Sequence, residues 1–186
     1  MSAHVVLLRH GRTALNADGR LRGRLDPPLD DIGLEEARAA AGRLARMRVV
    51  RIVSSPLTRA RQTARLVAEV TGVQVECDER LADRDYREFA GAAVDDLLRD
   101  FGMLDAVPGI EARTSVAARA QSALDEYGRV EDGTVVLVSH DAVIGILLEE
   151  LSVDPHRLAI PTGSLTTVTW RDGRWAVERI GVTPGE

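Results

Sequence analysis

Two short apolar runs each break off at a histidine, and this pattern constrains the fold more than any other feature of the chain. Val5 to Leu8 passes directly into Arg9-His10-Gly11, and Thr134 to Ser139, TVVLVS, passes directly into His140. Such runs are too short for helices and almost uniformly apolar, as strands buried on both faces are. An abrupt change from apolar to reactive residue types marks the point where a strand leaves its sheet for a loop. Val49 to Ser54 is a third run of the same kind, ending beside Ser55 and an Arg-bearing segment.

Helical patterns separate these strands. From Asp31 to Arg46, Ile32, Leu34, Ala37, Ala41, Leu44 and Ala45 recur at helical spacing, with Glu35 and Glu36 near the start where the helix dipole favours acids. Ser55 followed by Pro56 reads as an N-cap with proline at the first helical position. Leu57, Ala60, Ala64, Val67 and Val70 then continue one apolar face to Gly72. Further helices are predicted over 92–101, 113–128 and 141–151, and WRDGRWAVERI predicts a hairpin turning at Asp172-Gly173. The alternation predicts a single α/β domain over residues 1–186, three-layered α/β/α, with a mostly parallel mixed sheet to which the hairpin adds an antiparallel strand. Ligands of such sheets gather beyond the carboxyl ends of the strands, which here collects Arg9, His10, Arg59 and His140 at one edge.

Composition removes several function classes. Aromatic residues are 3% of the 186, too few and too scattered for a nucleic-acid stacking platform, and the net charge of -5 disfavours polyanion partners. All 24 basic residues are Arg, so neither a lysine Schiff base nor the lysine of a Walker phosphate loop can form. Codon usage in a GC-rich genome accounts for that bias. Cys77 is the only cysteine, which excludes an intrachain disulfide; flanked by Glu76 and Asp78, it reads as structural rather than nucleophilic. The opening MSAHVVLLRHG lacks a basic segment and a long apolar run, so a soluble cytoplasmic protein without a membrane partner is expected. Neither HxxxH nor CxxC spacing occurs, and no metal or other cofactor is expected.

Two histidines and two arginines converging near a helix start suit a tetrahedral dianion: Arg forks match phosphate oxygens, and Gly11 permits close backbone approach. A neutral histidine aimed at phosphorus can take the phosphoryl group and divide hydrolysis into two steps. Arg9-His10-Gly11-Arg12-Thr13 with Asn16 resembles the RHGxTxxN signature of the histidine phosphatase, or phosphoglycerate mutase-like, superfamily. The likeness continues through Gly23, Asp26, Pro28, Leu29 and Gly33, through Ser54-Ser55-Pro56-Leu57-x-Arg59-Ala60-x-Gln62-Thr63, and through Val138-Ser139-His140. It implies a phosphoglycerate mutase-like fold, His10 as the phosphorylated nucleophile, and Arg9, Arg59 and His140 as the phosphate pocket. It also places Asn16 and Arg22 where substrate meets that pocket.

The resemblance implies a proton donor after the leucine of Asp78-Glu79-Arg80-Leu81-Ala82-Asp83, so Asp83 stands where relatives of the mutase type carry Glu; Asp85 and Glu88 are the substitutes. A second departure is Asp141-Ala142 after His140, where Gly-Gly is common. A carboxylate there is expected to favour the His140 imidazolium. His4 and His156 read as structural, Arg12, Arg20 and Arg24 as a solvated face, and Asp95-Asp96 and Glu149-Glu150 as surface. The leading expectation is a metal-independent phosphomonoesterase acting on a small phosphorylated molecule through phosphohistidine. Mutase phosphotransfer, protein phosphohistidine hydrolysis and a noncatalytic phospho-ligand module are the alternatives. Between Ala90 and Val107, Arg99 stands alone among Asp95, Asp96, Asp100 and Asp105, which favours hydrolysis over holding a bisphosphorylated acid. The substrate's identity and the oligomeric state, a dimer among the options, stay open.

Overall fold

A computed structural model describes residues 3–129 and 132–183. In chain order the elements are β1 (Ala3–Arg9), α1 (Ala14–Ala17), α2 (Asp31–Leu44), β2 (Val49–Ser54), α3 (Thr58–Thr71), β3 (Val75–Cys77), α4 (Val94–Phe101), α5 (Arg113–Tyr127), β4 (Thr134–Ser139), α6 (Asp141–Glu150), β5 (Leu165–Arg171) and β6 (Arg174–Val182). Single turns of 3-10 helix fall at Glu79–Leu81, Arg87–Phe89, Leu104–Ala106 and Pro155–Arg157. The six strands form one sheet in the order β3-β2-β4-β1-β5-β6. β3, β2, β4 and β1 are mutually parallel, whereas β5 runs antiparallel to β1 and β6 antiparallel to β5. The expected mixed sheet is therefore present. Asp172 and Gly173 turn the hairpin at positive φ, 50° and 79°, the conformation that a tight two-residue turn requires.

The period-two alternation of strands fed from both faces sorts the core. Val5 and Leu7 of β1, with Val135 and Leu137 of β4, pack under α5 and α6. Val6, Leu8, Val136 and Val138 face the other way, with Ala40, Ala41 and Leu44 of α2 and Ala60, Ala64 and Val67 of α3. Small alanines on α2 and α3 bring those helices close to the sheet. A third apolar cluster joins Leu21, from the loop before α2, to Tyr86, Leu97 and Val107 of the segment after β3, and it supplies a wall beside the strand ends.

Local readings fail where a distant partner decides. Ser55 and Pro56 are not the start of α3, which begins at Thr58. Asp26, from the loop before α2, accepts hydrogen bonds from the Thr58 N–H at 2.6 Å and the Thr58 hydroxyl at 2.7 Å, so the cap comes from another part of the chain. Ile32, Ala45 and Val70 lie exposed rather than on the buried faces, because α2 and α3 meet the sheet through narrower stripes. Cys77 is also exposed, at the end of the edge strand β3, and packs into no core. Among the described residues no helix is long and apolar enough to cross a membrane.

Topology positions the site. α2 leaves β1 for one face of the sheet and α6 leaves β4 for the other, although β1 and β4 are neighbours. A crevice must open where two adjacent parallel strands send their chains to opposite faces. Arg9 pairs with Ser139 at the last rung, and His10 N–H donates to Ser139 C=O at 3.1 Å, so His10 and His140 both emerge at that crevice.

Candidate active site

His10 is fully buried, and its Nδ1 lies 2.6 Å from the Gly11 carbonyl oxygen. A carbonyl only accepts, so Nδ1 carries the proton and Nε2 keeps its lone pair. Nε2 faces Arg59, whose Nε–H approaches to 3.2 Å. Burial first, then Arg59 and Arg9, hold the His10 pKa well below the ordinary histidine value despite the Gly11 carbonyl, so the ring is neutral near neutral pH. Backbone crowding orders this loop. A Cβ on Gly33 would lie 2.0 Å from the Arg12 carbonyl oxygen and one on Gly11 2.2 Å from the Gly33 carbonyl oxygen, so only glycines allow α2 to start against the loop. Gly11 N–H donates to Thr63 Oγ1 at 3.1 Å, tying the same loop to α3.

Arg59 is completely buried, and its donors are spread over the site. Besides His10 it reaches the carbonyls of Leu25 at 2.9 Å and Gly23 at 3.0 Å, and Asp83 Oδ2 at 2.9 Å. His140 sits across the crevice with its ring centroid 5.0 Å from that of His10. Its Nε2 is 2.8 Å from Ser55 Oγ, and Ser55 Oγ already accepts from Leu57 N–H. A hydroxyl donates once and accepts twice; with its proton turned to Nε2, neutral His140 carries its own proton on Nδ1.

Four buried side-chain polar atoms among the described residues have no protein partner: Arg9 Nε, Arg22 Nε, His140 Nδ1 and Ser164 Oγ. Three are donors on residues of this one crevice. An unpaired buried donor costs about 1–3 kcal/mol, so three together mark a position made for an acceptor-rich ligand. A tetrahedral oxyanion answers that description.

Asp83 is the carboxylate that approaches His140 and shares Arg59 with His10. It is buried, accepts from Arg84 N–H at 2.9 Å, and places Oδ2 3.8 Å from His140 Nδ1. Burial raises its pKa above the ordinary aspartate value, against the pull of Arg59. Asp85 instead turns back on Arg87, and Glu88 is exposed, so neither shares the crevice. Arg80 is committed to Asp78 and Glu126 and Arg84 to Asp105, leaving Arg59 as the cation on Asp83.

One expectation changes. Asp141 does not support a His140 imidazolium: its oxygens take Arg22 Nη2 at 2.9 and 3.1 Å and Arg9 Nη2 at 3.2 Å, and burial, Arg59 and His10 hold the His140 pKa well below normal. Asn16 spends its Oδ1 on the Thr13 N–H and hydroxyl in a capping box for α1, so its carbonyl end organises the loop. His4 and His156 lie exposed, outside the crevice. Arg119 was missed by the sequence reading. From α5 it donates to the carbonyls of Arg80 at 2.8 Å, Ala82 at 2.6 Å and Asp83 at 3.3 Å, and it pairs with Glu111, which fixes the segment that carries Asp83. Its only sequence signal is an arginine set between Val116 and Ala123 on the apolar face of a helix.

Beside the crevice lies a cavity of about 380 Å³ whose lining includes Arg9, Arg22, Asp141, Tyr86, Leu104 and Ile160. A larger hollow of about 510 Å³ around Trp170 and Trp175 shares no residue with it.

Comparison with known proteins identifies the family and the fold. Residues 5–183 match the histidine phosphatase superfamily, branch 1. The chain is 31% identical to a probable phosphoglycerate mutase of Yersinia pestis, over 92% of its own length and 86% of that protein's. It superposes with a TM-score of 0.88 on a mycobacterial glucosyl-3-phosphoglycerate phosphatase solved with VO3, at 30% identity over 97% of this chain and 100% of that one. A phosphoglycerate mutase from Bacillus anthracis shares the fold, with a TM-score of 0.85 at 24% identity over 97% and 93% of the two chains.

Proposed function

This chain belongs to the histidine phosphatase superfamily, and on that premise we propose that it is a metal-independent phosphatase that hydrolyses a small phosphomonoester through a phosphohistidine at His10. The observation that carries this reading is the buried neutral imidazole whose unprotonated Nε2 is turned toward Arg59 while Nδ1 is held by Gly11.

In the first step His10 Nε2 attacks phosphorus in line with the ester oxygen. The N–P bond forms as the P–O bond breaks, and the electron pair leaves on the alcohol oxygen, which takes a proton from the Asp83 carboxyl. Arg9, Arg59 and His140 Nδ1 hold the equatorial oxygens, the work that a metal ion does elsewhere. Substrate itself assists the acid: a phosphate dianion competes for Arg59, the main influence holding the Asp83 pKa down, so Asp83 is protonated when needed. In the second step water attacks phosphorus, Asp83 takes a water proton, and the N–P bond breaks to restore neutral His10. Arg119 acts as a positioning residue for Asp83.

Hydrolysis is favoured over mutase transfer because the segment over the cavity adds no free cation for a second phosphate. Arg99 pairs with Asp96 at the exposed surface, and Arg113 pairs with Glu149 and Asp105. Rapid acid-free quench of the enzyme with labelled phenyl phosphate tests the reading. Acid-labile, base-stable label on the protein is expected, with its loss in His10→Ala; label that persists in the variant places the phosphoryl group elsewhere.

A further inference from the structure

The cavity beside the phosphate position carries three charged side chains, Arg9, Arg22 and Asp141, and its remaining walls are dominated by apolar and aromatic groups such as Leu21, Tyr86, Val94, Leu104, Leu158 and Ile160. Asp141 occupies the cations. Each guanidinium turns one Nη to a backbone carbonyl, Arg9 to Ile160 and Arg22 to Arg20, and the other to Asp141, while its Nε is left without a partner. The pairing is a property of charge as well as geometry. With Asp83 protonated as the acid, Arg9, Arg22 and Arg59 with ionised Asp141 leave two net positive charges, as many as a phosphate dianion neutralises. A second anionic group on the substrate would meet guanidiniums already paired with Asp141 and the phosphate, and the Asp141 carboxylate beside them.

We propose that Asp141 is a specificity-determining residue that selects phosphomonoesters of an uncharged alcohol with an apolar or aromatic body, and rejects those whose alcohol carries a carboxylate or a second phosphate. The proposal rests on the phosphatase reading of the same site and extends it to the class of alcohol. A cavity of about 380 Å³ accommodates a ring of ordinary size, since pockets for small ligands start at about 300 Å³. Tyr86 and Leu104 give such a ring apolar contact, and Asp141 repels an acid through a medium that screens charge less well than water.

Phenyl phosphate and 4-carboxyphenyl phosphate separate the two classes of substrate, and benzylphosphonate with 4-carboxybenzylphosphonate does so without turnover. In the wild-type protein kcat/KM is expected to favour phenyl phosphate by about tenfold or more, and calorimetry should show benzylphosphonate binding tighter by a similar factor. Asp141→Asn and, as a second variant, Asp141→Ser should each collapse both ratios toward one. Equal handling of the paired compounds by the wild type, or ratios unchanged in both variants, overturns the proposal. Turnover of both esters without discrimination removes the Asp141 inference and keeps the phosphatase reading. Discrimination between the phosphonates, lost in the variants, with no phosphate released from either ester does the reverse.

Discussion

Acidification to about pH 5 is expected to destabilise the protein through His10 and His140, which are both fully buried. Burial first, then Arg59 and Arg9, depresses the His10 pKa; burial first, then Arg59 and His10, depresses that of His140. The unfolded chain protonates each imidazole near ~6.5, while the folded state keeps both neutral well below that, so the unfolded state binds more protons as pH falls through the window. Stability is therefore present above ~6.5 and is lost below it, at about 1.4 kcal/mol per pH unit per imidazole, or about 2 kcal/mol each by ~pH 5. Asp83 has the opposite sign. Burial raises its folded pKa above the unfolded ~3.9, so falling pH favours the fold through this one group and offsets at most one imidazole. The net loss is about 2–4 kcal/mol, a large share of an ordinary stability of about 5–15 kcal/mol. Urea titrations in phosphate-free buffer at about pH 7, 6 and 5 measure it. His10→Asn keeps a donor for the Gly11 carbonyl and His140→Gln keeps a polar end for Ser55, yet neither new side chain titrates. Each variant should lose about 2 kcal/mol of the pH dependence. A pH dependence identical to wild type in both variants would refute the claim that these rings are held neutral by burial.

Three further outcomes are expected. Asp83→Asn should slow alkyl phosphates by at least tenfold more than a nitrophenyl ester, whose leaving group needs little protonation; equal slowing in steady-state assays would move the acid role off Asp83. EDTA should leave phosphate release unchanged, because guanidiniums neutralise the transferred group, whereas loss restored by a divalent ion rejects the metal-independent step. Gly33→Ala should destabilise by about 1–3 kcal/mol in chemical denaturation, since its Cβ would meet the Arg12 carbonyl oxygen at 2.0 Å, and a midpoint equal to wild type would show that the loop can yield there.

Much of the architecture was legible because it depends on local periodicity. The apolar runs at β1 and β4, and the one at β2 interrupted by Arg51, have one structural use, and the Arg-His and Ser-His endings show where β1 and β4 leave the sheet. The helices came out within two or three residues, because their apolar spacing and the Gly72 cap act through near neighbours. The order of the signature residues along the chain likewise carried Arg9, His10, Arg59 and His140 to one place.

Partnerships across large sequence separation were a different matter. Three acids, Asp83, Asp85 and Glu88, lie within six positions, and nothing local distinguishes them. Arg119 from α5 and Arg59 from α3 select Asp83 by fixing its backbone and its carboxyl. Asp141 follows His140 directly, yet its charge goes to Arg9 and Arg22, 132 and 119 positions away, because the first residue of α6 points into the cavity rather than back at the imidazole. Asp26 caps α3 from before α2, a hydrogen bond set by loop path and invisible to any window around Ser55. Sequence determined the strands, the helices and the chemistry brought to the crevice, since those follow from spacing along one chain. Tertiary structure alone decided which charges pair and which donors stay unpaired, because a charge finds its partner by distance in space.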